Sequence, residues 1–110
     1  MRRGDIIYVH NEKGNCTGCE QANDRPAIVV SNNLCNEHSP VIEVVYTTTA
    51  HKKHLLPTHV IVHSTPFNSI ALCEAVYSVD KSRIDRVIGH CSTSEILRIN
   101  NALAISLGLI

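Results

Sequence analysis

A short apolar strand that opens at a proline is the feature that most constrains the fold of this chain. Residues 26–32 are mostly apolar, with polar residues on both sides, which is typical of a buried strand between two loops. Pro26 has no backbone N–H to donate to a neighbouring strand, so it fits the first position. Arg25 then lies at the strand mouth, where its permanently charged guanidinium can point toward an anion such as a phosphate. A surface ion pair with Asp24 or Glu20 is the simpler alternative.

Further segments rich in β-branched and aromatic residues, separated by turn formers, follow along the chain. They predict strands at residues 6–9, 41–49 and 87–90, a strand entered through 56–63, and a mostly extended stretch over 70–79 after a short helical turn near Pro66. Turn formers predict a polar loop over residues 10–24, a connection over 33–39, and turns at 51–54 and 80–83. Loops as long as the first are often functional in compact domains.

The pattern changes from strand to helical period at the C-terminal end. Ser92 and Glu95 have the spacing of a capping box, which predicts that a helix begins here. Apolar residues then recur at helical spacing, at Ile96, Ile99, Leu103 and Leu107. We interpret this stripe as core, since surface helices of globular domains normally have one apolar face. Many short strands and one amphipathic helix predict a mainly β protein, a small β-barrel with a C-terminal helix.

Composition limits the class of protein. The 110 residues fit a single domain over 1–110, and an apolar content of 44% is that of a globular protein. The formal net charge is zero, which argues against a protein that coats polyanions, although a local basic site still attracts phosphate. Arg2 and Arg3 are followed at once by Asp5 and by no apolar signal region, and no run is long enough to span a membrane. We therefore expect a cytoplasmic protein with no membrane partner.

The cysteines leave three alternatives open. Cys16-x-x-Cys19 and Cys35-x-x-His38 have the spacing of a structural zinc site with three cysteines and one histidine. The strand over 26–32 separates the two pairs by about 20 Å at about 3.3 Å per residue, which weakens this hypothesis. Cys16 and Cys19 could instead form a redox pair. Plain reduced thiols are the default for a protein of the reducing cytoplasm.

The histidines offer a possible catalyst. His51, His54, His59 and His63 lie close together in the sequence, and two histidines can act as base and acid near neutral pH. The even spacing of His59 and His63 predicts that they share one face of a strand. Ordinary surface histidines are the alternative.

An ordered series of short motifs resembles a known family. In chain order the series comprises Arg3-Gly4-Asp5-Ile6, Glu20-Gln21, Arg25-Pro26, Ser31-Asn32-Asn33, Leu56-Pro57-Thr58-His59-Val60, Val79-Asp80-Lys81 and the closing segment 102–109. With these motifs the chain resembles the MazF/PemK-type toxins, the ribosome-independent mRNA-cleaving endoribonucleases of toxin–antitoxin pairs. The resemblance covers nearly the whole chain.

The resemblance implies an SH3-like barrel of the plasmid-maintenance-toxin type that forms a homodimer. It implies sequence-specific, metal-independent cleavage of single-stranded mRNA without a cofactor. It also implies a cognate antitoxin that lays an extended segment across the dimer groove and the active site. A gyrase-poison toxin of the same fold is an alternative function, but such toxins use a tryptophan-containing tail and this chain has no tryptophan. A small zinc-stabilised binding module is the other alternative.

Matched residue by residue, the resemblance assigns a catalytic pair and a set of RNA contacts. The catalytic pair is Arg25 and Thr48. The predicted RNA-binding residues are Glu20, Gln21, Asn32, Thr47, Thr49, Lys52 and Lys53. Several relatives have glutamine where this chain has Ala75, so no base contact is carried over to that position.

The chemistry of RNA cleavage fits this pair. An arginine can donate two parallel hydrogen bonds to the phosphorane that forms when a 2′-OH attacks the adjacent phosphorus. Arginine is a poor general base because its pKa lies above about 12. Thr48 is assigned hydrogen bonding and positioning. The expected products are a 2′,3′-cyclic phosphate (or 3′-phosphate) and a 5′-OH, with single-stranded bases read on their edges.

Overall fold

The computed structural model describes residues 1–10, 24–49, 55–65 and 68–110. Its strands are β1 (Asp5–Val9), β2 (Arg25–Val29), β3 (Val41–Thr48), β4 (His59–Val62), β5 (Ser69–Leu72), β6 (Tyr77–Asp80) and β7 (Ile84–His90). The helices are α1 (Asn33–His38) and α2 (Thr93–Ser106), and a 3₁₀ turn, Lys81–Arg83, joins β6 to β7. Neither described helix is long and apolar enough to cross a membrane.

β3 is the strand that holds the sheet together. It pairs with β2 over residues 44–46, with β6 over 41–44 and with β5 over 47–48. The sheet runs in the order β4-β5-β3-β2-β1-β7, with β6 also paired to β3, and every described pairing is antiparallel. The β-branched and aromatic residues of β3 suit a strand with neighbours along both edges.

Two clusters of buried side chains form the core. The first, which we call the inner cluster, contains Ile7, Val9, Ala27, Val29, Ile42, Val44, Tyr46 and Val79. Ile84 of β7 packs against this cluster, which also contains Val79 of β6. The sheet is therefore curved, with β6 and β7 facing the same interior. The second cluster joins the other face of the sheet to α2 through Ile6, Ile28, Val45, Val60, Val62, Ile99, Ala102 and Leu103. The predicted fold class, mainly β with a C-terminal helix, is confirmed.

The helix α2 begins as predicted. Ser92 is the N-cap, its side chain accepts from the Glu95 N–H, and the Glu95 carboxylate accepts from the Ser92 N–H, which completes the capping box. Ile99 and Leu103 are buried in the core and Ile96 packs against it. Leu107 was wrongly included in the core stripe, because α2 ends at Ser106 and Leu107 is 62% exposed.

Glu95 also ties α2 to the end of β4. Its carboxylate accepts hydrogen bonds from the His63 N–H at 2.6 Å and from the Ser64 hydroxyl, while the residue is only 3% exposed. Burial alone raises the pKa of a carboxyl group, but the hydrogen bonds from Ser64, Ser92 and His63 outweigh it and lower the pKa of Glu95 to about 2. One buried carboxylate therefore connects the start of α2 to the residues that follow β4.

The N-terminal motif fastens the first strand to both helices. The Arg3 N–H donates to the Asn33 side chain, its Nε to the Val30 carbonyl at 2.8 Å and its Nη1 to the Asn100 side chain at 2.7 Å. Gly4 has φ +94°, a conformation that L side chains rarely adopt, and a Cβ here would meet Ile96 at 2.9 Å. The sequence Arg-Gly thus serves to dock the chain start against α1 and α2.

Two sequence-based predictions of local structure were wrong. Most of the predicted connection over 33–39 is the helix α1, because Asn32 caps the helix and Asn36 is buried against Ser31. Residues 70–79 are not one extended stretch, since β5 ends at Leu72 and β6 begins only at Tyr77. The helical turn predicted near Pro66 lies outside the described residues.

We predict that Glu95→Gln lowers the free energy of unfolding by about 1–3 kcal/mol at neutral pH, because charge-assisted hydrogen bonds become neutral ones. The folded pKa of about 2 lies below the ordinary 4.5. The stabilisation is therefore complete above the unfolded pKa and is lost as the pH falls toward 2. Urea unfolding of both proteins between pH 3 and pH 7, roughly this window, measures the difference.

The matched control is Glu37→Gln, since the Glu37 side chain is 73% exposed. It should change the free energy of unfolding by no more than about 0.5 kcal/mol. An equal loss from both substitutions, or a loss at Glu95 that does not shrink in acid, would contradict the assignment.

Candidate active site

Arg25 is held at the end of the sheet by a carbonyl and an aromatic ring. It opens β2 opposite Val9 of β1. Its Nη2 donates to the Thr47 carbonyl at 3.1 Å, and its guanidinium carbon lies 4.8 Å from the centre of the Tyr46 ring. These contacts orient the cation without neutralising its charge. Of the carboxylates in the simpler alternative, Asp24 pairs instead with His10 at 2.8 Å, and Glu20 lies outside the described residues.

Thr48 lies near Arg25 on the same face of the sheet. Ala27 of β2 is paired with Tyr46 of β3, and this register continued by two residues brings Arg25 opposite Thr48. Because side chains alternate along a strand, both point to the inner face to which Ala27 and Tyr46 contribute. Thr48 is half-buried and is the last residue of β3. The structure thus brings the two predicted catalytic residues together.

The neighbouring threonines occupy different environments. Thr47 is only 4% exposed, and its hydroxyl donates to the Pro26 carbonyl at 3.4 Å. By alternation it points to the face opposite Arg25, although its carbonyl receives the Arg25 hydrogen bond. Thr49 is exposed just beyond the end of β3. Of the three consecutive threonines, Thr48 is the one whose side chain shares the inner face with Arg25.

Asn32 is the one further predicted RNA contact in the described part of the chain, and it does not lie beside Arg25. Asn32 lies beyond the opposite end of β2, and its side chain accepts from the Cys35 N–H at 2.8 Å as the N-cap of α1. The remaining four fall outside the described residues and stay predictions, namely Glu20, Gln21, Lys52 and Lys53.

Tyr46 and Tyr77 are the site features that the sequence analysis missed. Tyr46 is 4% exposed, whereas Tyr77 of β6 is 41% exposed. Their rings meet edge to face, with centroids 5.1 Å apart and an interplanar angle of 65°. Arg25, Tyr46 and Tyr77 therefore form a continuous row from a cation to an exposed ring. The sequence contained one indication of this row. Tyr77 and Val79 are two residues apart in a strand and so lie on the same face, and Val79 belongs to the core.

Comparison with known proteins identifies the family. Residues 2–107 match the family model described as PemK-like, MazF-like toxin of type II toxin–antitoxin system. The chain belongs to this family. Proteins named Endoribonuclease MazF from Staphylococcus saprophyticus and Staphylococcus epidermidis are each 32% identical to it, over 99% of this chain and 92% of theirs.

Solved structures support the same fold. An endoribonuclease from a mycobacterial species, in complex with its cognate antitoxin, matches with a TM-score of 0.82 and 25% identity, covering 100% of this chain and 97% of that one. A MazF structure from Deinococcus radiodurans matches with a TM-score of 0.79 at 20% identity, over 98% of this chain and 96% of that one. The sheet and terminal helix described above are therefore those of MazF-type toxins.

Two of the four clustered histidines of this PemK/MazF-like chain are described, His59 and His63, and they make separate contacts. β4 ends at Val62, so His63 lies beyond the strand and bonds Asn68 at 2.9 Å. His59 accepts from the Leu56 N–H at Nδ1 and contacts Glu74 at Nε2, 3.0 Å away. Because Nδ1 accepts from the Leu56 N–H, Nε2 is the ring nitrogen that donates to Glu74. The prediction of a shared strand face was wrong, and His51 and His54 lie outside the described residues.

The cysteine alternatives are only partly visible. The half-buried Cys35 thiol donates to the Val41 carbonyl at 3.4 Å, and His38 is exposed. Among the described residues no group of three potential metal ligands occurs, while Cys16 and Cys19 lie outside them. Burial raises the pKa values of Cys73 and Cys91 to about 12, so both thiols stay protonated.

We predict that Asn32→Ala lowers the free energy of unfolding by about 1 kcal/mol because α1 loses its cap, whereas Asn32→Ser keeps an oxygen at the N-cap and retains stability. Thermal unfolding of both variants measures the difference. RNA affinity of the Asn32→Ser protein then separates two roles. If it falls more than a few-fold while stability is retained, Asn32 contacts RNA; if it is unchanged, the side chain acts only as a cap.

Proposed function

We propose that this protein is an endoribonuclease toxin that cleaves single-stranded mRNA at an active site containing Arg25 and Thr48. The observation that carries the proposal is the fixed guanidinium of Arg25, bonded to the Thr47 carbonyl and stacked on Tyr46 on the face shared with Thr48. Family membership supports it, as do staphylococcal relatives that are named endoribonucleases. These relatives favour RNA cleavage over the gyrase-poison and zinc-module alternatives.

The proposed reaction is an in-line displacement at phosphorus. The 2′-hydroxyl loses its proton as its oxygen attacks the adjacent phosphorus, the bond to the 5′-oxygen breaks, and that oxygen gains a proton as it leaves. The products are a 2′,3′-cyclic phosphate and a 5′-OH. Hydrolysis of the cyclic product would give a 3′-phosphate. Arg25 donates to the nonbridging oxygens as their charge grows, and this stabilisation needs little reorganisation because Tyr46 and Thr47 already orient the cation. Thr48 positions the phosphate by hydrogen bonding. The reaction requires no metal or cofactor.

RNA recognition is proposed to extend beyond the catalytic pair. Thr49 is exposed beside Thr48 and fits a direct contact with the strand. The lysines and the Glu20-Gln21 motif belong to segments that adjoin β2 and β3 in sequence, which supports their assignment as RNA contacts. The recognised bases would be unpaired, since only unpaired bases expose both their edges and their faces to a protein.

A cognate antitoxin and a second copy of the chain are the proposed protein partners. The family description and the mycobacterial complex with its cognate antitoxin support the first. For the second, β4 is an edge strand in the described pairings, and a groove of about 510 Å³ lies beside it. Leu55, Ile61 and Leu97 line this groove and are 46%, 39% and 63% exposed, which suits a self-associating face. We propose a single-domain toxin over residues 1–110 that acts on cytoplasmic mRNA.

We predict that Arg25→Ala lowers the rate of RNA cleavage by at least about 100-fold, because the developing charge on the phosphorane loses its main donor. Arg25→Lys keeps the charge but not the fork of two parallel donors, so its activity should be intermediate. Cleavage of a long single-stranded RNA, followed on a denaturing gel, measures all three proteins.

Arg86→Ala is the matched control, since Arg86 also stacks on a tyrosine ring, at 4.9 Å from the centre of Tyr8. Its activity should remain within a few-fold of the unchanged protein. Full cleavage by a folded Arg25→Ala protein would overturn the proposed site.

We further predict that cleavage persists in excess EDTA and yields 5′-OH ends. Such ends accept a labelled phosphate from polynucleotide kinase without prior phosphatase treatment, which gives a direct measurement. Activity that disappears in EDTA and returns only with a divalent ion would contradict the metal-independent mechanism. Ends that require phosphatase treatment would contradict attack by the 2′-oxygen.

A further inference from the structure

We propose that the exposed ring of Tyr77 is a stacking platform for a base of the RNA strand whose phosphate is bound by Arg25. This inference rests on the proposed function and adds an RNA-binding residue to it. The bound group is an unpaired nucleobase within one or two nucleotides of the scissile phosphate.

The first support is the environment of the ring. Tyr77 is the first residue of β6 and is paired with Val44 of β3. Val79, two residues on, is 1% exposed within the inner cluster, so alternation directs Tyr77 to the same face. Tyr77 is nevertheless 41% exposed, so it lies where the inner face of the sheet reaches the solvent. The ring is therefore accessible to a ligand and lies beside the ring on which Arg25 stacks.

The second support is how the ring is held. The edge-to-face contact with the buried Tyr46 fixes one side of Tyr77 and sets its orientation before any ligand arrives. A pre-oriented ring loses little conformational entropy on binding, which is the property that makes aromatic side chains effective platforms. Tyr46 thereby orients both groups, because its ring contacts the Tyr77 ring and also the guanidinium of Arg25.

The third support is distance. The guanidinium carbon of Arg25 is 4.8 Å from the Tyr46 ring centre, and that centre is 5.1 Å from the centre of Tyr77. The cation and the exposed ring are therefore no farther apart than these two lengths added together. This is the scale of one or two nucleotides measured from a phosphate to a base. A cation for the backbone and a ring for a base are the two elements that single-strand binding sites combine.

The test measures binding separately from cleavage. The probe is a single-stranded RNA that spans a cut site mapped with the unchanged protein, with a 2′-deoxy sugar at the attacking position so that it binds without reacting. Tyr77→Ala should weaken binding about 5- to 150-fold, the range for loss of one base–aromatic stack. Tyr77→Leu should weaken it similarly, whereas Tyr77→Phe should bind within about twofold, since a ring is required and a hydroxyl is not.

A spectroscopic readout distinguishes stacking from a general loss of affinity. The chain has no tryptophan, so Tyr77→Trp introduces a single one at the proposed platform. Its fluorescence should be quenched when the deoxy-substituted RNA binds. Quenching by this RNA together with retained affinity supports direct contact, and unchanged fluorescence at saturating RNA would overturn it.

Tyr8→Ala is the matched control. Tyr8 also has an arginine over its ring, but it alternates with Val9 of the inner cluster and so points to the other face. The affinity of the Tyr8→Ala protein for RNA should be within about twofold of that of the unchanged protein. A loss of affinity equal to that of Tyr77→Ala would overturn the assignment.

The remaining outcomes separate the two proposals. If the unchanged protein cleaves RNA and the Tyr77→Ala protein binds the probe with the same affinity as the unchanged protein, only the stacking platform is overturned. If Tyr77→Ala loses affinity for the cognate antitoxin but not for RNA, the ring belongs to a protein interface and the inference is also overturned. If the unchanged protein neither binds nor cleaves single-stranded RNA, the proposed function and this inference fail together.

Discussion

The antiparallel register between β2 and β3 determines where the cation of the site lies. Ala27 is paired with Tyr46, and from that pairing follow the stacking of Arg25 on Tyr46 and its approach to Thr48. A slip of one residue would turn every side chain of β2 to the other face of the sheet, moving Ile28 out of its core cluster and Arg25 away from the ring. The burial of β2 residues on both faces opposes such a slip, so the hydrophobic core and the geometry of the site are maintained by the same pairing.

Several polar residues that look functional in the sequence are used to build the fold instead. Ser31 and Asn36 bond each other beneath α1, and Asn32 caps that helix. His59 bridges the Leu56 N–H and the Glu74 carboxylate. These groups satisfy backbone or side-chain atoms that would otherwise be desolvated without a partner. Residues that recur in a family can thus reflect how its chain ends and connections are held, and only geometry separates those residues from the ones that contact substrate.

The sequence predicted α2 and the strands other than β5 and β6, which it merged into one stretch, because these apolar periods are strong and local. It did not predict α1, a helix of six residues whose stability comes from Arg3, Asn32 and Asn36 rather than from its own pattern. For the candidate site, Arg25 and Thr48 were predicted from family motifs, and the structure brings them to one face. Tyr77 was missed because its place beside Tyr46 depends on the pairing of β6 with β3, residues far apart in the chain. Strand parity with Val79 indicates the face of the sheet on which Tyr77 lies, but it does not indicate that Tyr46 is its neighbour.

The carboxylate of Glu95 has a consequence for how the molecule opens. It accepts hydrogen bonds from the backbone at the start of α2 and from the segment that follows β4. The two segments can separate only by breaking hydrogen bonds to this buried carboxylate, so they should open as one cooperative unit. In amide hydrogen exchange, the first turn of α2 and His63 should therefore lose their protection together. The segment that forms the groove beside β4 would then open no more often than the C-terminal helix does.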